Sequence, residues 1–122
     1  MVSEKIMRVE IVAVRDAGIL DRERVVLKVL AKTDIGQYLL AKTRPAEGMA
    51  AVSSELRQVF WIPDAPVETG DFVTVYTKSG TNGKVENKAG SKTHLFHRGL
   101  STSIWGKEDI PILLEISDWS SK

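Results

Sequence analysis

The chain has 122 residues, 43% of them hydrophobic and 27% charged, with a net charge of +1 and no cysteine. That is one domain's worth of an ordinary soluble globule. Without cysteine there is no disulfide framework, thiolate zinc site or cysteine nucleophile, and the near-neutral charge gives no global pull toward nucleic acid or an anionic surface.

The first residues, MVSEKIMRVE, carry charges where a signal peptide would be apolar, and no run approaches the roughly 20 apolar residues of a membrane span. A cytoplasmic location without membrane contact is therefore expected, and the missing cysteines fit a reducing compartment.

Apolar residues recur with period two. In MRVEIVAV, Met7, Val9, Ile11 and Ala13 share a face, and in ERVVLKVLA so do Val25, Leu27, Val29 and Ala31. Short, β-branched, alternating runs of this kind predict strands. GQYLLAKT (36–43) is the next candidate. RPAEGMAAVSSELRQVF then brings good helix formers, interrupted by Gly48 and closed by Pro63. A short helix near 47–57 and an irregular loop are both compatible with it. Strands follow at LRQVFWI (56–62), DFVTVYTK (71–78), KTHLFHR (92–98) and ILLEISDW (112–119), with turn signals at 16–18, 34–36, 62–64, 69–71 and 79–91. About seven to nine strands with at most one short helix predict an all-β, antiparallel sandwich or barrel over residues 1–122, with no internal repeat or linker.

GKVENKAGSKT (83–93) has glycines ahead of a lysine and a threonine, as a phosphate cradle does. The spacing from Gly83 to Gly90 is two residues too long, Ser91 intrudes before Lys92, and the following THLFHRG reads as a strand. No helix end would face a phosphate. A hairpin explains the stretch better, with Thr81-Asn82-Gly83 as its turn and the flanking strands running in opposite directions. The segment is basic all the same. Lys78, Lys84, Lys88, Lys92 and Arg98 stand against Glu86 alone, a local balance of +4. Lysines in such a place keep a loop solvated and stop edge strands from pairing. Contact with an anion or nucleic acid is the alternative.

The two histidines, His94 and His97, are three apart, which on a strand puts them on opposite faces and unable to share a metal ion. The acidic residues are scattered, mostly at turns where Asp caps backbone N–H groups, and no pair stands out for acid–base work. No nucleophile elbow is present. Three tryptophans, Trp61, Trp105 and Trp119, flank expected strands. Each can pack a large area in the core or serve as an aromatic contact on a binding face.

VFWIPDAPVETGDFVTVYTKSG, followed by SIWGKEDIPILLEI, resembles the lamin tail domain, an immunoglobulin-like β-sandwich. Phe60-Trp61-Ile62-Pro63 matches its aromatic–Pro element and Gly70 its turn glycine. Phe72 to Tyr76 matches its strand, and Trp105 and Asp109 its tryptophan and acidic turn. AGILDRERVVLKV (17–29) is similar to its first hairpin. The likeness runs from about residue 7 to residue 117. Gly106-Lys107-Glu108 shortens the turn after the tryptophan, Pro111 stands at the start of the next strand, and EISDW replaces the final hairpin.

The resemblance implies a non-catalytic interaction module without cofactor or metal, binding a protein partner that the sequence does not name. Free sheet edges would allow a homo-oligomer. Weak nucleic-acid or anion binding through 78–98 is the second expectation.

Overall fold

The computed structural model describes residues 7–45 and 55–122. They form ten strands and one 3-10 turn: β1 (Val9–Arg15), β2 (Arg24–Val29), β3 (Thr33–Asp34), the turn Ile35–Gln37, β4 (Tyr38–Thr43), β5 (Arg57–Trp61), β6 (Pro66–Val67), β7 (Phe72–Tyr76), β8 (Gly83–Glu86), β9 (Lys92–His97) and β10 (Ile110–Glu115). The all-β class expected from the alternation is what the chain adopts. The stretch 47–57, compatible with a short helix or an irregular loop, falls almost wholly outside the described residues; at 55–57 the chain is entering β5.

The strands make a five-stranded sheet in the order β1-β2-β7-β9-β8, a three-stranded sheet β10-β4-β5, and the two-residue pair β3-β6. The two larger sheets pack in a sandwich-like arrangement. Alternation decides which side faces in. Val25, Leu27 and Val29 of β2 have no exposed surface, and neither does Val73 of β7. They meet Tyr38 and Leu40 of β4, also fully buried, with Phe60 and Leu113 packed alongside. Each large aliphatic side chain taken out of water here contributes about 1.5–3 kcal/mol. Val67 of β6, and Ile35, Ile62, Ile104 and Trp105 from the connections, close the core.

Not every ladder is antiparallel. β9 runs parallel to β7, with Phe72 opposite Thr93 and Tyr76 opposite His97. The expected direct hairpin between these two strands is corrected accordingly. Chain leaving β7 first forms β8 in the outermost position, and β9 then returns into the gap between them, antiparallel to β8. GKVE reads as loop in the sequence because all four residues are exposed. Backbone pairing to β9 makes it a strand, without any buried side chain.

Each outer edge of the two larger sheets carries a feature that opposes further pairing. β1 is bulged between Ile11 and Ala13, and β5 opposite the step from Leu40 to Lys42. β8 presents Lys84 and Glu86, and β10 contains Pro111. No helix among the described residues is long and apolar enough to cross a membrane.

Candidate functional site

Two of the three tryptophans lie side by side. Trp61 closes β5 and Trp119 lies in the segment beyond β10. Their rings meet edge to face, centroids 5.0 Å apart and planes at 88°. Both are exposed, at 44% and 62%, whereas Trp105 is in the core at 3%. Trp105 therefore packs as an interior residue, and the other two form a surface pair.

The chain around them is tied in place. Trp61 Nε1 donates to the Gly36 carbonyl at 2.7 Å, which fixes the ring and satisfies the indole N–H. Ile62 N–H donates to Tyr38 O, and Ile116 N–H to Gln37 O, so β5 and the segment after β10 are both secured beside the 3-10 turn. Asp34 caps that turn, its Oδ1 accepting from Gly36 N at 2.8 Å and from Ala65 N at 3.0 Å. Asp64 leans on Gly36 so closely that a Cβ at that position would lie 1.8 Å from its Oδ1. Only glycine admits this approach.

The result is an open pocket of about 350 Å³, lined by Asp34, Gly36, Gln37, Trp61, Asp64, Ile116, Ser117 and Trp119. Its polar groups converge beside two aromatic rings, as small ligand sites do. Trp61 and Trp119 were legible as candidates. Asp34, Gly36 and Asp64 were legible only as turn residues, since nothing in their spacing signals that two turns 30 residues apart meet.

A second hollow of about 180 Å³ opens at the β5 bulge, lined by Lys42, Thr43, Arg44, Glu55, Arg57, Gln58 and Asp109. Gln58 has φ +52°, and the extra residue brings Arg57 opposite Lys42. Its charges are paired internally. Lys42 Nζ and Arg44 Nε each lie 3.0 Å from Asp109, and Arg57 lies 3.3 Å from Glu55. Burial alone would push the Asp109 carboxyl up. The N–H of Gly106 and the two cations outweigh it and hold the group at about 2.

The basic residues are not gathered into one patch. Lys78 lies over the Tyr76 ring at 5.2 Å, and Arg98 over Phe60 at 5.0 Å. Lys84 is on edge strand β8, Lys88 in the turn after it, and Lys92 opens β9 opposite Glu86. Lys92 opens β9, whereas Lys78 follows β7 level with the far end of β9, so the two lie about 17 Å apart along the strand direction. His94 and His97 take opposite faces. His94 is buried with Nε2 2.9 Å from Asp71, and His97 stacks on Tyr76 at 5.2 Å.

The buried carboxylates Glu23 and Asp71 are likewise occupied. Glu23 accepts from the N–H groups of Gly18, Ile104 and Trp105 and from the hydroxyls of Thr77 and Ser103. Burial would raise its pKa, and these donors together bring it below the ordinary value. Asp71 accepts from Glu68 N, Lys92 N and His94. It too is held below the ordinary carboxylate value, against the effect of burial. Both carboxylates staple loops to strands.

No family model, curated protein or solved structure matches this chain.

Proposed function

We propose that the chain is a non-catalytic interaction module that holds a segment of a partner protein at the Trp61–Trp119 pocket. The observation that carries this is the exposed tryptophan pair, in which Trp61 is seated by its hydrogen bond to Gly36 and Trp119 packs edge to face against it. Tryptophan anchors are enriched among the residues that dominate binding energy, because they offer large area with little rotamer entropy to lose. The buried carboxylates support binding over catalysis, since each is committed to structural hydrogen bonds. The bulged, charged and proline-bearing edges favour contact through this pocket over strand addition or a homo-oligomer. An immunoglobulin-like, lamin-tail-like sandwich acting as a cytoplasmic binding module fits the same picture, by analogy of fold. Weak anion or nucleic-acid contact through 78–98 is less favoured, because Lys78 and Arg98 are engaged with aromatic rings and Lys92 stands opposite Glu86.

Selection of a displayed random-peptide library on the wild-type protein and on Trp119→Ala tests the reading. Enrichment that is present on the wild type and lost on the variant, with unfolding midpoints unchanged, supports it. Enrichment indifferent to Trp119, or none at all, rejects it.

A further inference from the structure

The pocket has a chemical bias that identifies its occupant. Two carboxylates, Asp34 and Asp64, stand beside the two indole rings, and no basic side chain is among the described residues that line it. Asp34 Oδ1 is used by two N–H groups, while Asp34 Oδ2 and both oxygens of Asp64 accept no hydrogen bond among the described residues. Several carboxylates elsewhere in the fold have cationic partners. Asp109 has two cations, Asp16 has Arg24, and Glu55 has Arg57. Here acceptor capacity and negative charge are left open next to aromatic faces, which attract cations through the ring quadrupole.

The shape narrows the choice. Rings at 88° form a corner rather than a slot. A compact ammonium touches both walls of a corner, whereas a planar guanidinium can stack on only one. The lysine stem would lie along the indole surface while its head reaches the carboxylates. Gly36 adds to the case, because a side chain there would displace the Asp64 carboxylate.

Resting on the binding reading above, we infer that the Trp61–Trp119 corner, backed by Asp34 and Asp64, receives the ammonium side chain of a lysine in the partner segment.

Tryptophan fluorescence reads the site directly, because Trp105 is buried and Trp61 and Trp119 are exposed. The first arm compares quenching by caesium and by iodide. An anionic pocket accumulates the cation, so caesium, corrected for intrinsic efficiency, is expected to quench about twofold better or more in the wild type. Asp64→Asn should shrink that preference without moving the unfolding midpoint. The second arm titrates the blocked peptide Ac-Gly-Ser-Lys-Ser-Gly-amide against versions with norleucine, arginine or glutamate at the centre, and against choline. The lysine peptide should bind about tenfold more tightly than the norleucine one, lose affinity with added salt, and lose about fivefold or more in Asp64→Asn.

Equal binding of the norleucine peptide, dependent on Trp119, would leave the pocket as the binding site but overturn a lysine as its occupant. Choline binding as tightly as the lysine peptide would overturn it too, reassigning the site to a small quaternary ammonium. No peptide binding, or better quenching by iodide, also overturns it. Should the library selection be indifferent to Trp119 as well, the binding reading falls with it.

Discussion

Thr77 donates its hydroxyl to Glu23 Oε2 at 2.5 Å, joining residues 54 positions apart in a site where Glu23 is fully buried. The same carboxylate takes the backbone of Ile104 and Trp105, so one side chain ties β2 and the chain beyond β7 to the segment that leads into β10. Removing it would leave several buried donors unsatisfied. Glu23→Ala is expected to cost about 3–5 kcal/mol in urea unfolding. Glu23→Gln should fare little better, because either orientation of the amide turns an NH₂ toward N–H or O–H donors. A loss below about 1 kcal/mol in both variants would show that the knot is incidental.

Acid should weaken the fold in a defined window. Glu23, Asp71 and Asp109 all have folded values below their ordinary values of 4.5, 3.8 and 3.8. Groups depressed in the folded state add stability above the unfolded value and lose it as pH falls through the folded one. Stability should therefore change little between about pH 5 and 8 as far as these groups decide it, and fall below about pH 4, with the Asp109 share fading toward pH 2. Asp109→Asn is expected to remove about 2 kcal/mol at neutral pH and to flatten the acid limb. Urea midpoints of both proteins across that range check it. An unchanged slope in the variant counts against the assignment.

Gly36 is a packing glycine, with the Asp64 backbone Cα 2.7 Å from where a Cβ would stand. Backbone cannot swing aside as a side-chain tip can. Gly36→Ala should destabilise by about 1–3 kcal/mol and raise the exposure of Trp61 to acrylamide, because the Trp61–Gly36 hydrogen bond shifts with it. A variant with wild-type stability and quenching would mean the loop at 62–65 relaxes freely.

Gln58 takes φ +52° at the β5 bulge, a region that costs a non-glycine residue of order 1 kcal/mol. Gln58→Gly is expected to be neutral or to stabilise by up to about 1 kcal/mol. Gln58→Val, β-branched and poorly suited to that region, should cost more than about 1 kcal/mol. Thermal unfolding separates the two. If valine is tolerated as well as glycine, the bulge is not strained.

The class of fold was legible because half-buried strands write their burial into every second residue. Val25, Leu27 and Val29 are spaced two apart and share one inner face. The turn residues were legible for a similar local reason, since Asp34 and Asp109 bond backbone within three residues of themselves. β8 was not legible, because a strand made only of exposed residues leaves no alternation to read. Nor was the parallel run of β9, which depends on where β8 had already settled. Of the candidate site, the tryptophans could be named beforehand. Which of them would be buried could not, since Trp61, Trp105 and Trp119 all flank strands in much the same way.

By itself the order of residues settled what depends on near neighbours: extended backbone, its two-faced pattern, and where the chain turns. Only the folded arrangement brought residues 34–37, 61–64 and 116–119 together, because closing such distant segments is decided by the packing of two sheets. A pocket assembled from three connections is a property of that packing, which no short stretch of the chain contains.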